Sequence, residues 1–342
     1  MKNSFYIDYS TLDEPFPIPN LKDNRINLLT GPVKSGKTLC LLYKCKSLLM
    51  CNPKANIIWI THNKLYKDYL NSLFHKIGIH CRIELASKFL ECQKFNCDYI
   101  FIDEASFLTE SQFAQIINCS NKSIFISIND GSIKAPFIFK DGQSGLTPNS
   151  VRKLYNVIPQ SLYFTPLYNG TEKIISHLCG LYSVAVKSIG NNVLNQCYYI
   201  ELTEQESIVK FINKRITNLK EKDVGILCYS NEDVANLYHE FNNHQFKVEC
   251  KYNYTKEWRN NVNFESTHPK IMTIHSSIGI SFGSIYLILN KRLLTDFSKY
   301  KDLICYALTR GFNDVVIIGC QTLPIIITDN ALQISDGTII SL

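Results

Sequence analysis

Lys37, Thr38, Asp103 and Glu104 are side chains whose types and spacing could carry out phosphoryl chemistry. Lys37 and Thr38 close the octet Gly31-Pro32-Val33-Lys34-Ser35-Gly36-Lys37-Thr38, which satisfies G-x-x-x-x-G-K-[ST] without a mismatch. In such a loop glycine lets the backbone curl, so that successive N–H groups face phosphate oxygens. The helix that follows adds the partial positive charge of its N-terminus. Lys37 is then expected on the β and γ phosphates, and Thr38 on Mg²⁺. Further along, Asp98-Tyr99-Ile100-Phe101-Ile102-Asp103-Glu104-Ala105 reads as a buried strand that delivers Asp103 to the same cation. Glu104, one residue on, is placed to orient and deprotonate an attacking water.

These groups need a scaffold that gathers them, and the chain has the pattern of one. Ile26–Leu29, Ala55–Ile60, Tyr99–Ile102 and Ser123–Ile128 are short apolar runs suited to buried strands. Helical periodicity separates them over Leu39–Leu49, Lys64–Lys76, Ile83–Phe95 and Glu110–Asn118. Alternation of this kind predicts a parallel α/β sheet, with function at the carboxyl ends of the strands. After a Gly/Pro-rich connector near Gly142–Asn149 the alternation resumes. Strands are expected at Val224–Tyr229, Phe246–Cys250, Lys270–Ile274, Ser284–Leu289 and Asp314–Gly319, and helices at Glu232–Phe241 and Lys301–Arg310. The predicted organisation is an N-terminal arm over 1–24, a first phosphate-loop domain over 25–148 and a second α/β domain over 149–342.

Bulk properties agree with a chain of two globular domains. It has 342 residues, 45% apolar and 19% charged. A net charge of +6 permits a polyanionic partner without requiring one. The thirteen cysteines are scattered and never form C-x-x-C, which fits reduced thiols better than a disulfide framework. There is no leader-like N-terminus and no membrane-length apolar run, so a cytoplasmic protein is expected. His62 and His275 lack Cys or His neighbours at ligand spacing, so no metal other than Mg²⁺ is expected.

Two motifs in the second half specify the kind of enzyme. Thr273-Ile274-His275-Ser276-Ser277-Ile278-Gly279 follows a strand, and Tyr306-Ala307-Leu308-Thr309-Arg310 closes a helix. With the phosphate loop and Asp103-Glu104, they make the chain resemble a superfamily 1 helicase of the compact RNA-virus type, from about Ile26 to Gly319. The resemblance implies two tandem recombinase-like domains that hydrolyse ATP with Mg²⁺ in the cleft between them while moving along a single strand, with RNA expected. It implies partners in viral replication or movement. By position, it assigns Thr61, His62 and Asn63, and Thr273, His275 and Ser276, to nucleic acid. Gly279 and Tyr168 go to nucleotide, and Arg310 to the γ-phosphate. Asp130 matches the aspartate of the third motif.

The third, fourth and fifth motifs are degenerate. Expected glutamines fall on Ile133 and Ile278, and an expected arginine falls on Asn169. Since one arginine at such a transition state is worth about 10³ to 10⁵ in rate, nucleotide binding is the firmer expectation and efficient hydrolysis the weaker one. Two alternatives stand beside the helicase. Gly31–Lys37, Ile102–Phe107, Asp130-Gly131 and Pro136-Phe137 also resemble a thymidine kinase, in which Glu104 is the base on a nucleoside hydroxyl. That resemblance leaves the second half unexplained, and the paired cysteines usual in that family are missing. The other is a helicase-derived nucleotide-binding module without unwinding activity. Finally, Lys251-Tyr252-Asn253-Tyr254-Thr255-Lys256-Glu257-Trp258-Arg259 interleaves cations and rings as a single-strand stacking groove does, though a solvated strand-loop with partly buried rings reads the same way.

Overall fold

The computed structural model describes residues 25–92, 96–134, 136–137, 139, 143–162, 171–179, 197–255 and 257–334. The chain divides into two compact units between Thr165 and Pro166. The expected arm over 1–24 lies outside the described residues.

The first unit runs β1 (Ile26–Gly31), α1 (Lys37–Cys51), β2 (Ile57–Thr61), α2 (Lys64–Ile77), β3 (Arg82–Leu85), α3 (Ala86–Cys92), β4 (Cys97–Ile102), α4 (Glu110–Ile117), β5 (Ser120–Asn129), α5 (Pro148–Tyr155) and β6 (Gln160–Ser161). Its six strands lie in the order β3-β2-β4-β5-β1-β6, and every pairing is parallel. Side chains alternate between the two faces of a strand, and here the alternation fixes the register. Trp59, Phe101 and Phe125 are paired across β2, β4 and β5 and stack on one face, with ring centroids 5.3 and 4.9 Å apart. Ile60, Ile102 and Ile126 fill the other face beneath α3 and α4. A one-residue slip would turn the rings into the isoleucine layer. Continued by one residue, the register sets Asp103 beside Ser127.

Two expectations change here. Ile83–Phe95, read as one helix, opens with edge strand β3, whose pairing with β2 overrides its weak helical pattern. The domain break expected at 148/149 lies inside the first unit. The Leu162 N–H donates to the Thr30 carbonyl (2.7 Å) and β6 extends the sheet beyond β1, so α5 and β6 stay with the phosphate loop.

The second unit holds α6 (Glu172–Cys179), β7 (Cys197–Glu201), α7 (Gln205–Leu219), β8 (Val224–Cys228), α8 (Asn231–Asn243), β9 (Glu249–Tyr254), β10 (Glu257–Asn260), β11 (Lys270–Thr273), β12 (Phe282–Leu289), α9 (Lys291–Thr295), α10 (Phe297–Leu308), β13 (Gly311–Gly319), α11 (Ile325–Thr328) and β14 (Leu332–Gln333). Among the described residues eight strands lie in the order β10-β9-β11-β8-β12-β13-β7-β14, and only the β9–β10 hairpin is antiparallel. Strands β8, β11, β12 and β13 are buried almost end to end, as expected of parallel strands covered on both faces. Both units are therefore α/β with mostly parallel sheets, the fold class read from the sequence.

Candidate functional site

The phosphate loop leaves β1 at Gly31 and enters α1 at Lys37. A Cβ at Gly31 would lie 2.3 Å from the Leu162 carbonyl oxygen and 2.7 Å from Ser35 Oγ, so only glycine fits. Gly36 takes the left-handed conformation (φ 83°) and, as the residue capping α1, offers no side-chain acceptor. The first-turn N–H groups of α1 thus have no side-chain cap from that position, the condition for anion binding at a helix start. Lys37 is buried. Its Nζ donates to the carbonyls of Pro32 (2.6 Å) and Gly31 (3.1 Å) and to Ser35 Oγ (3.4 Å), which holds the ammonium within the loop.

Opposite this loop stands Asp103, 1% exposed at the end of β4. One carboxylate oxygen, Oδ2, accepts from Thr38 Oγ1 (2.7 Å) and from the Tyr66 hydroxyl, while Oδ1 accepts from Ser127 Oγ. Burial and the charge of Asp103 push the Tyr66 phenol well above its usual pKa, so it stays a donor. Glu104 is also buried, in a left-handed backbone conformation (φ 56°) that turns the chain out of the strand. Its N–H donates to Ser127 Oγ (3.0 Å), and its Oε2 accepts from Asn129 Nδ2 (2.8 Å). Asn129 ends β5, the strand between the phosphate-loop strand and the Asp103 strand.

The donor set fits the expected ligands. A hydroxyl and a carboxylate 2.7 Å apart are the hard oxygen donors that Mg²⁺ takes. Asn129 Oδ1 is buried without a hydrogen-bond partner beside Glu104, an acceptor open to a water or hydroxyl. Sequence reasoning missed Asn129, Ser127 and Tyr66. It looked for the polar coupler at Ile133, which is fully buried and apolar. Asp130 accepts from the Ser132 N–H (2.9 Å), and its own N–H donates to the Gly31 carbonyl (3.0 Å), so it borders the phosphate loop.

The segment Thr61-His62-Asn63 leaves β2 beside this cluster. Thr61 is buried with its Oγ1 unpaired. The His62 ring lies 5.3 Å from the rings of Tyr66 and Phe137 and 5.6 Å from Phe107. Asn63 caps α2 by accepting the Tyr66 N–H (2.8 Å).

In the second unit, the segments holding Thr273–Gly279 and Tyr306–Arg310 come together. Thr273 Oγ1 accepts the Ser276 N–H (3.1 Å) and donates to Ser276 Oγ (3.0 Å), closing a tight turn after β11. Burial holds the His275 imidazole below its usual pKa. The Gly279 N–H donates to the Tyr306 hydroxyl (3.3 Å). Arg310 lies over the Tyr306 ring (4.4 Å), donates to Thr309 Oγ1 from Nη2 (2.9 Å) and Nε (3.2 Å), and reaches the Ile280 carbonyl from Nη1 (3.4 Å). It is buried rather than extended, and Ile278 is also buried. Tyr168 and Asn169 lie outside the described residues. Most of the Lys251–Arg259 stretch forms the β9–β10 hairpin; Lys256 lies outside the described residues. Its rings are largely engaged, Tyr252 with Glu257 (2.9 Å), Tyr254 with Glu232 (2.9 Å) and Arg259 over Tyr238, leaving Trp258 exposed.

A phosphate loop on a parallel sheet, with its carboxylate strand one strand removed, defines a P-loop α/β protein. Residues 24–138 match the family model of thymidine kinase. No curated protein matches the sequence. Among solved structures the chain is similar to the helicase of PRRSV, at 12% identity and TM-score 0.47 over 86% of this chain and 52% of that one. It is similar also to arterivirus nonstructural protein 10, a helicase solved in complex with DNA, at 14% identity and TM-score 0.44 over 87% of this chain and 61% of that one. Both are viral helicases, and the chain spans between half and two thirds of their length.

Proposed function

We propose that this protein is an ATP-hydrolysing motor of the superfamily 1 helicase type that acts on single-stranded nucleic acid, RNA in the first instance. The observation that carries this reading is the second parallel α/β unit, in which Gly279, at the end of Thr273–Gly279, donates to Tyr306 and the next residue, Ile280, accepts from Arg310. A nucleoside kinase has no use for that arrangement, whereas a motor needs a second unit to respond to nucleotide. In this reading Lys37 and the loop N–H groups hold the phosphates, and Thr38 and Asp103 hold Mg²⁺, which supplies charge neutralisation when bound. Glu104, oriented by Asn129, accepts the proton of the attacking water. Arg310 supplies the cation for the phosphoryl group being transferred. Thr61, His62, Asn63, Thr273, His275 and Ser276 contact the strand, and Gly279 and Tyr168 serve the nucleotide. Action within the cytoplasm of a virus-infected host belongs to the same reading; among the described residues no helix is long and apolar enough to cross a membrane.

The test is hydrolysis of ATP by the full chain with single-stranded RNA, single-stranded DNA and thymidine in turn, beside Lys37→Ala. Stimulation by a strand, lost in Lys37→Ala, is the expected result; phosphorylation of thymidine with no stimulation by any strand would sink the motor. That outcome is the second reading, a thymidine-kinase-like enzyme with Glu104 as base on a nucleoside hydroxyl, and the family-model match over residues 24–138 is what favours it. Binding of nucleotide with neither activity would leave a binding module.

A further inference from the structure

The carboxyl edge of the second sheet carries a group that the roles above do not use. Tyr229 follows β8, and Asn290 and Lys291 follow the neighbouring strand β12. Asn290 Nδ2 donates to Asp233 Oδ2 (2.9 Å), which ties the start of α9 to the start of α8. On this base Arg292 is held from two sides. Its guanidinium lies over the Tyr229 ring (5.3 Å), and its Nε donates to the Tyr300 hydroxyl (3.3 Å). Tyr229 in turn donates to the Tyr300 hydroxyl (3.2 Å), with the two rings 5.2 Å apart, and Lys299 Nζ lies 5.4 Å from the Tyr300 ring. Arg292 is exposed, and among the described residues no carboxylate lies within 4 Å of it; the charge of Asp296, four residues on, acts on it from farther off. A planar fork fixed at one edge and one face, with its other donors open, is built for a phosphate. Two rings and a second cation beside it match a backbone-and-base ligand. The group adjoins the Thr273 turn, since the Ile274 N–H donates to the Cys228 carbonyl (2.9 Å) at the end of β8.

We propose that Arg292, Tyr229, Tyr300 and Lys299 form a binding site for single-stranded nucleic acid, with a backbone phosphate on the Arg292 Nη groups and a base against the tyrosine pair. The site rests on the single-strand reading above and extends that contact from Thr273 across β8 to α9 and α10.

Fluorescence anisotropy of a labelled 20-nucleotide oligo(U), titrated with the full chain over a range of salt, tests it. Arg292→Ala should weaken binding by about tenfold or more and flatten the plot of log K against log salt by about 0.7, one phosphate on a single strand. Arg292→Lys should keep the slope while recovering only part of the affinity, because charge returns without the fork. Tyr300→Ala should weaken binding by about fivefold or more with the slope unchanged. Affinity and slope in Arg292→Ala equal to wild type overturn the site and leave the motor reading standing. Polyglutamate competing as well as unlabelled oligo(U) at equal charge overturns the nucleic-acid assignment in favour of an acidic protein partner. A wild-type chain that binds no strand overturns both the site and the reading it rests on, whereas binding that depends on Arg292 in a chain without strand-stimulated hydrolysis keeps the site and removes the motor.

Discussion

The Tyr66 hydroxyl and the Thr38 hydroxyl donate to the same oxygen of Asp103. Tyr66 belongs to α2 and is buried completely, and its N–H is held by Asn63 in the segment that leaves β2. The carboxylate expected to meet Mg²⁺ is thus aimed by a residue with no place in any phosphate-loop motif. Groups that orient a metal ligand from behind typically cost about 10- to 100-fold in metal affinity when removed. Tyr66→Phe keeps the ring in its packing and leaves Asp103 with Thr38 and Ser127. Binding of a fluorescent ATP analogue should therefore need about tenfold more Mg²⁺ for half-saturation, with binding in EDTA unchanged. An unaltered Mg²⁺ requirement would show that Ser127 and Thr38 suffice.

Glu104 and Asn129 should separate cleanly in kinetics. Glu104→Gln removes the proposed proton acceptor but keeps the shape and an acceptor for Asn129 Nδ2, so hydrolysis should fall by about 10²- to 10⁴-fold while nucleotide affinity holds. Asn129→Ala leaves the carboxylate in place and removes what orients it, so a smaller loss confined to kcat is expected. If the two variants lose rate equally, Asn129 acts on the water directly through its open Oδ1 rather than through Glu104.

How much of this was legible follows from how local each signal is. The octet from Gly31 to Thr38 and the strand ahead of Asp103 are contiguous patterns, and both stand where the sequence put them. β3 was hidden because Arg82–Leu85 is an edge strand with one buried residue, too little apolar patterning to compete with the helix that follows. β6, at two residues, carries no pattern at all. Asn129 was missed because motif spacing pointed to Ile133, whereas register decides which residue of β5 faces Glu104. Tyr66 reads as an ordinary core position of an amphipathic helix. Arg292 and Tyr229 are brought together only by the pairing of β8 with β12.

Arg215 gives a prediction about stability rather than function. Its side chain is buried, with Nη2 on Asp314 Oδ2 (2.9 Å), Nε 3.8 Å from Glu221 Oε1 and the guanidinium over the Tyr198 ring (4.7 Å). Burial raises the pKa of Glu221 against the lowering effect of Arg215. Arg215→Met leaves two acids buried without their cation, and removing one partner of such a cluster costs about 3–5 kcal/mol. Urea unfolding should show the second unit destabilised by that order, with the transition of the first unit unmoved. A loss below about 1 kcal/mol would mean that the acids take up protons at no great cost.

Arg310 is the residue whose assigned role differs most from its observed surroundings. Its guanidinium is occupied by Thr309, the Ile280 carbonyl and the Tyr306 ring. If it meets the γ-phosphate only during turnover, ground-state binding of ATP does not depend on it, and Arg310→Ala should lower kcat by about 10³-fold or more at nearly constant nucleotide Kd. Arg310→Lys should recover little, since a point charge on a flexible stem replaces neither the fork nor the stacking on Tyr306. A structural role predicts otherwise. Removing donors from Thr309 and Ile280 would then lower the melting temperature of Arg310→Ala, and kcat measured well below that temperature would stay near wild type. Melting curves and single-turnover hydrolysis on the same two variants therefore decide between a catalytic cation and a buried strut.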